Sequence, residues 1–321
     1  MQNVISRTPL RITFAGGGTD LPYFSRKEGG AVLNAAINKH IYIFVHKSFD
    51  DKIRLRYSKN EEVKSSDQIS HPIYREAFKL LRIREPLEIA SLADITSKGS
   101  GLGSSGTFTV GLLNALYAWK QIPVTREELV RAAFRIENKR LKTNCGMQDE
   151  AAAAFGGINL FEFNRNGSFE PKRIALNHDS IMELQKRMLL LNLGMTRSAQ
   201  QTLKEVPLFN NQEQMMERKR MAYELYYELL QGNWEQTGNF ILKGNRLKIK
   251  GGDKGKESMI DRICQKIEKE GVPVKSIGAS YGGFLLAFAK PSMQESIVKV
   301  SGLKRVPIKF DFEGSKIIYA D

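Results

Sequence analysis

The chain has 321 residues, of which 41% are hydrophobic and 26% charged, the composition of an ordinary globular protein. Met1 to Pro9 lacks the basic start and apolar run of a signal peptide, and no apolar stretch is long enough to span a bilayer. Two cysteines without a CxxC pattern disfavour a disulfide scaffold or a structural zinc site. We therefore expect a cytoplasmic protein that has no membrane contact.

The net charge of +14 would suit nucleic acid, an anionic surface or a phosphorylated substrate. Basic residues concentrate in the glycine-rich stretch 243–256 and in Arg218-Lys219-Arg220. Neither cluster contains interleaved aromatic residues of the kind that stack on bases. We interpret both clusters as surface or substrate-steering charges, so a nucleic-acid partner is disfavoured. A homodimer is left open.

The first half of the chain mixes strand and helix patterns. Strands are predicted at Val4–Ala15, Ile41–Val45, 53–58, Leu87–Ala93 and Ile158–Phe163, and helices at Thr107–Lys120, Thr125–Ile136 and Asp149–Phe155. Thr125 and Glu128 form a capping box at the start of the second helix. In the second half, strands are predicted at 187–193 and twice within Ser276–Phe288, and helices at Gln212–Gln231 and Lys256–Glu270. Without a regular βαβ rhythm, the pattern predicts an α+β fold with antiparallel pairing.

The stretch Lys98-Gly-Ser-Gly-Leu-Gly-Ser-Ser-Gly-Thr107 follows a predicted strand and opens a buried helix. Small residues at a helix start let backbone amides approach an anion, so the loop is typical of a phosphate site. A flexible linker would rarely lead straight into an apolar helix. The loop has the GxGxxG spacing of a dinucleotide site, but no acidic residue ends a second strand about 20 residues later, as such a site needs. The P-loop and protein-kinase motifs are absent as well.

Two more segments accompany this loop: Pro9-Leu-Arg-Ile-Thr-Phe-Ala-Gly-Gly-Gly-Thr-Asp20 and Ile277-Gly-Ala-Ser-Tyr-Gly-Gly-Phe284. Together the three resemble the GHMP kinase superfamily over nearly the whole chain. Gly17-Gly18-Thr19-Asp20 before Leu-Pro, Gly146-Met-Gln-Asp149 and the Thr196–Ala199 segment look most like the D-glycero-D-manno-heptose 7-phosphate kinase branch. The resemblance implies an ATP- and Mg²⁺-dependent kinase of a sugar or sugar phosphate, with heptose 7-phosphate phosphorylated at the anomeric position as its most specific form.

The resemblance also implies a two-domain architecture. Residues 1–180 would form an N-terminal domain like domain 2 of ribosomal protein S5, and residues 181–321 a C-terminal ferredoxin-like domain. The active site would lie between the two halves of the chain.

Site roles carry over from the resemblance by position. Asp149 would orient or deprotonate the acceptor hydroxyl, and Arg11 would stabilise the transferring phosphoryl group. Ser104 and Glu137 would bind Mg²⁺. The acceptor would contact Asp20, Gly17, Gly18, Thr19 and Arg197, and the ATP phosphates would contact Gly99, Ser100, Gly101, Leu102, Gly103, Ser104, Ser105 and Gly106.

Each of these residues has a structural alternative. Arg11 could lie on a strand surface, Asp20 could cap a turn, and Asp149 could cap the alanine-rich helix. Glu137 could pair with Lys139 or Arg140 on an exposed helix face. Arg197 could be a surface charge.

The sequence also departs from the family pattern at three places. Gly17-Gly18 replace the Glu-His of galactokinases, which argues against galactose as the acceptor. Gly106 replaces an alanine, and Ser280-Tyr281 replace two glycines. A kinase for fucose, a uronic acid or mevalonate, a non-catalytic ATP and sugar sensor, and a nucleic-acid-binding protein remain the alternatives.

Overall fold

The computed structural model describes residues 3–95, 100–194, 211–249, 259–278 and 283–321. The strands are β1 (Asn3–Ala15), β2 (Gly30–Lys47), β3 (Ile53–Arg56), β4 (Asn60–Val63), β5 (Leu87–Ala93), β6 (Ile158–Phe163), β7 (Phe169–Arg173), β8 (Met188–Asn192), β9 (Val274–Ser276), β10 (Phe284–Phe288), β11 (Lys304–Val306) and β12 (Lys316–Ala320). The helices are α1 (Pro22–Glu28), α2 (Pro72–Leu81), α3 (Ser104–Trp119), α4 (Arg126–Phe134), α5 (Gln148–Phe155), α6 (His178–Arg187), α7 (Gln212–Gln231), α8 (Trp234–Ile249), α9 (Met259–Lys269) and α10 (Pro291–Ser301). A π-helical segment, Arg135–Arg140, continues α4, and a short 3₁₀ helix, Ser66–Gln68, precedes α2.

The larger sheet is built around β1 and β2. Strand β1 lies between β12 and β2 and is antiparallel to both. Strand β2 is long enough to serve two further partners, because its residues 30–35 pair with β6 and its residues 41–47 pair with β5. Strand β3 joins β5 in parallel and β4 closes that edge. This pairing brings the end of β1 beside the start of β2, where the Gly16-Gly17-Gly18 turn begins.

The smaller sheet has the antiparallel order β11-β8-β10-β9. It carries a core of its own, to which β8 and β10 contribute Leu189 and Leu285. Helix α9 covers this core with apolar residues at helical spacing, Ile260, Ile263, Cys264 and Ile267. Among the described residues, no helix is both long and apolar enough to cross a bilayer.

Helices α3 and α5 pack closely because the residues at their contacts are small. A Cβ added at Gly111 of α3 would lie 2.8 Å from Thr8 Oγ1, so α3 rests directly against β1. Helix α5 buries the four alanines 151–154. A Cβ added at Gly106 would lie 2.9 Å from the Cβ of Asp149. The first turn of α5 is thereby held against the first turn of α3.

The structure confirms the α+β prediction, including the helix at Gln212–Gln231 and the capping box at Thr125. Three differences stand out. Helix α3 begins at Ser104 rather than Thr107, α4 gives way to the π-helical segment after Phe134, and the first of the two predicted strands within Ser276–Phe288 is β9, which starts at Val274. Of the predicted helix Lys256–Glu270, the described part begins at Met259. The division near residue 180 stays a prediction, although β12, from beyond it, pairs with β1.

Candidate active site

The described part of the glycine-rich loop runs from Ser100 into α3. Gly101 and Gly103 have φ of +80° and +77°, a backbone conformation that side-chain-bearing residues rarely adopt. The loop is tied to β1, because the Arg11 amide donates to the Leu102 carbonyl at 3.0 Å. It is also tied to the smaller sheet, since the Gly283 amide donates to the Ser100 carbonyl at 3.1 Å. The loop conformation is therefore fixed from both sheets.

Arg11 joins this loop to Asp149. Its Nη1 donates to the Gly101 carbonyl at 2.5 Å, and its Nε donates to Asp149 Oδ1 at 2.8 Å. Its Nη2 lies 2.7 Å from the same carboxylate oxygen. Gly103 packs closely against the Arg11 side chain, and a Cβ added at Gly103 would lie 3.1 Å from the Arg11 Nε. Arg11 is 5% exposed, so the alternative of a surface arginine is wrong. The N-cap of α5 is Met147, so the capping alternative for Asp149 is wrong as well.

Asp20 is held by the residue that precedes Asp149. Gln148 donates its backbone amide to Asp20 Oδ2 at 3.0 Å and its Nε2 to Oδ1 at 2.9 Å. Gly146 leaves room for this carboxyl, because a Cβ there would lie 1.9 Å from Oδ2. Burial, as the main cause, raises the pKa of Asp20 from 3.8 to about 6. The buried Thr19 hydroxyl bonds both the amide and the carbonyl of Ala31 on β2, which fixes the turn.

Glu137 lies in the π-helical segment and points at the first turns of α3. Ser105 donates to its Oε2 at 2.8 Å and Thr109 donates to its Oε1 at 2.6 Å. The residue is 5% exposed, so the alternative of an exposed helix residue is wrong. Burial raises the pKa of Glu137 above its ordinary value. The serine that donates to this carboxylate is thus Ser105, the neighbour of the predicted ligand Ser104.

Comparisons with known proteins show which sequences and folds this chain is similar to. Residues 72–157 match the family model described as the GHMP kinases N terminal domain. A D-glycero-alpha-D-manno-heptose 7-phosphate kinase of Campylobacter jejuni is 28% identical over 316 residues, which cover 93% of each chain. Over nearly its whole length, the chain is similar to members of the GHMP kinase superfamily. It is thus an ATP-dependent kinase.

Solved structures show the same GHMP-kinase fold. A D-glycero-D-manno-heptose 1-phosphate kinase from Bacteroides thetaiotaomicron matches with a TM-score of 0.80 and 25% identity, over 99% of this chain and 100% of that one. A putative sugar kinase from Campylobacter jejuni matches with a TM-score of 0.78 and 26% identity, over 99% and 98%. The GHMP-kinase fold predicted from the three motifs is therefore confirmed.

The structure brings several predicted site residues together, and others lie outside its described part. Arg11, Asp149 and the loop are in direct contact, and Asp20 is linked to them through Gln148. Gly99, Arg197 and the Ser280-Tyr281 pair lie outside the described residues.

Two basic residues near the Gly16-Gly17-Gly18 turn were not predicted as part of the site. Lys275 of β9 donates Nζ to the carbonyls of Thr13 and Phe14 at 3.1 and 2.8 Å. Burial lowers its pKa from 10.5 to about 7. Arg218 of α7 donates Nη1 to the Gly17 carbonyl at 3.2 Å. The sequence marked Arg218 only as part of a basic cluster, and its interpretation as a surface charge misses this contact; nothing in the sequence marks Lys275.

Proposed function

We propose that this GHMP kinase transfers the γ-phosphate of ATP to the anomeric hydroxyl of a heptose 7-phosphate. The observation that carries the kinase chemistry is the position of Arg11, which bonds the glycine-rich loop at Gly101 and the carboxylate of Asp149 at once. Phosphoryl transfer depends mainly on positioning and on stabilising negative charge. A single cation that bonds both elements supports that chemistry directly.

In the proposed reaction, the acceptor oxygen forms a bond to the γ-phosphorus while the bond between that phosphorus and the bridging oxygen of ADP breaks. Asp149 orients the attacking hydroxyl and takes up its proton. Arg11 stabilises the negative charge on the transferring group. A base at this position typically contributes about 10² to 10⁴ in rate.

The residues around Glu137 are suited to the magnesium ion that the family implies. Glu137 offers a buried carboxylate, and Ser104 and Ser105 offer hydroxyls at the start of α3. Oxygen ligands of this kind are those Mg²⁺ prefers. When bound, the ion would neutralise charge on the ATP phosphates.

The choice of acceptor rests on similarity and on charge. The relative from Campylobacter jejuni that covers 93% of this chain is named for heptose 7-phosphate, and the Bacteroides structure is named for a heptose phosphate too. Near the Gly16-Gly17-Gly18 turn, Arg218 adds positive charge, which favours an acceptor that carries a phosphate. Fucose, a uronic acid and mevalonate are the alternative acceptors, and an ATP and sugar sensor is the non-catalytic alternative. We place the enzyme in the cytoplasm, where ATP is available.

The test is acceptor-dependent release of ADP from Mg-ATP. The panel contains heptose 7-phosphate, the same heptose without its phosphate, fucose, galactose, glucuronic acid and mevalonate. We expect turnover on the heptose phosphate and little on the unphosphorylated heptose. Asp149→Asn should bind ATP as the wild type does and lose at least about 10²-fold in turnover.

Turnover on a different acceptor would support the kinase activity and overturn the assignment of heptose 7-phosphate as the acceptor. A fully active Asp149→Asn enzyme would overturn the role of Asp149.

A further inference from the structure

Glu150 follows Asp149 in α5, and the proposed reaction does not use it. Its side chain is 1% exposed. Within the described part of the chain, no hydrogen-bond donor reaches its Oε2. A buried carboxylate oxygen that lacks a partner is costly, because burial removes the water that would otherwise solvate it. A bound group that contacts this oxygen would relieve the cost.

Glu150 does not stand alone. One carboxylate oxygen of Glu150, one of Glu137 and the Sγ of Cys145 all lie within 4.8 Å of one another. Within the described residues, no lysine, arginine or histidine forms an ion pair with either carboxylate, whereas Asp149 has Arg11. The pair of carboxylates therefore lacks a positive partner.

Glu137 is already held in the position of a ligand. Ser105 and Thr109 each donate a hydroxyl to one of its oxygens, and outer hydrogen bonds of this kind orient metal ligands. Ser105 itself is exposed, so the Glu137 carboxyl lies one hydrogen bond from solvent at the start of α3. An ion could reach the cluster from the side of the glycine-rich loop.

We propose that Glu150 and Glu137 together bind a divalent cation directly, before any nucleotide is present. Two oxygens on opposite sides of one Mg²⁺ lie about 4.0–4.2 Å apart, because bonds from oxygen to Mg²⁺ are about 2.0–2.1 Å long. The ligand atoms of this cluster lie within 4.8 Å of one another, so they would need to approach by less than about 1 Å to hold one ion. Two carboxylates outnumber the single thiol of Cys145, so the site favours a hard cation such as Mg²⁺ or Mn²⁺. The ion would lie beside the loop that receives the ATP phosphates. The inference uses the site of the proposed function, but the binding it predicts requires neither ATP nor an acceptor.

The experiment titrates Mn²⁺ into nucleotide-free protein and measures free Mn²⁺ by electron paramagnetic resonance. We expect one Mn²⁺ bound per wild-type chain. Glu150→Gln keeps the shape of the side chain and should weaken binding at least about tenfold, the lower end of what losing even an outer partner of a metal ligand costs. Glu137→Gln should weaken it as well. Glu127→Gln, the same change on the exposed face of α4, should bind as the wild type does.

A wild-type chain that binds no Mn²⁺ at millimolar concentration would overturn the proposal. So would Glu150→Gln with unchanged affinity, because the ion would then belong to Glu137 alone. Thermal melting checks that each variant is folded, and a given concentration of Mn²⁺ should raise the melting temperature of the wild type more than that of Glu150→Gln. These outcomes are independent of turnover: a chain that binds Mn²⁺ through Glu150 but phosphorylates no heptose phosphate would refute only the proposed acceptor.

Discussion

Asp149 is held between two neighbours. Arg11 holds its carboxylate from one side, and Gly106 contacts its Cβ from the other. The sequence could identify Arg11 and Asp149, because each stands in a short motif. It could not show that the two side chains touch, because they are 138 residues apart and the contact depends on how α5 packs against α3.

Gly106→Ala should disturb the reacting groups without removing any of them. The new Cβ would lie 2.9 Å from the Asp149 Cβ and 3.1 Å from the Glu150 amide, so α5 must move away from α3. We expect turnover to fall by up to about 10²-fold, as a 1 Å misplacement can cause. Steady-state kinetics provides the measurement. Gly244→Ala is the control, because its nearest neighbour is an ordinary 3.7 Å away. Equal turnover in both variants would contradict the tight packing at Gly106.

Asp20 should make the protein less stable as the pH rises through about 6. Its pKa is about 6 when folded against 3.8 as the ordinary value, so between these limits the folded state binds more protons than the unfolded state. The stabilising contribution is complete below about pH 3.8 and amounts to about 3 kcal/mol at 1.36 kcal/mol per pKa unit. Thermal melting from pH 4 to pH 7 should show this decline in the wild type and a smaller one in Asp20→Asn. If the melting temperatures of the wild type and Asp20→Asn changed equally with pH, the raised pKa of Asp20 would be refuted.

At the scale of elements, local signals predicted some boundaries well and others not at all. Helix α7 runs over the predicted residues, because Asn211 caps its start and Gly232 ends it in a left-handed conformation. The capping box predicted the start of α4, but nothing local marks the π-helical segment that follows. That segment places Glu137 within hydrogen-bond distance of Ser105 and Thr109. These are tertiary contacts, which a local sequence pattern cannot reveal. Nor could it show β12 beside β1, a pairing of distant parts of the chain.

Lys275 links β9 to the end of β1, and its charge should oppose folding at low pH. Its folded pKa is about 7 against an ordinary 10.5, so between these values the unfolded state binds the extra proton. Stability should therefore rise with pH from about 7 towards 10.5, and the penalty is complete below about pH 7. Compared with Lys275→Met, the wild type should gain melting temperature between pH 6 and pH 9. A constant difference across that range would show that the amine does not lose its proton on burial.

The charge of the whole molecule also has a kinetic consequence. A net charge of +14 attracts anionic substrates over distances that salt shortens. Between about 0.01 M and 0.15 M salt the screening length falls from about 30 to about 8 Å. The KM for ATP and for a phosphorylated acceptor should therefore rise with salt, whereas the KM for an uncharged sugar should stay nearly constant. Steady-state kinetics at several salt concentrations tests this, and a salt-independent KM for ATP would exclude steering by the overall charge.

The two sheets meet where Gly101 and Gly278 pack backbone against backbone, so closely that a Cβ added at Gly278 would lie 2.3 Å from the Gly101 Cα. The Gly283 amide next to this contact donates to the Ser100 carbonyl. Its proton can exchange with solvent only when the glycine-rich loop separates from β10. Deuterium uptake at Gly283, measured by mass spectrometry, should therefore slow when ATP fills the loop, although Gly283 belongs to the other sheet. That amide should therefore report nucleotide occupancy without a dye or a substitution.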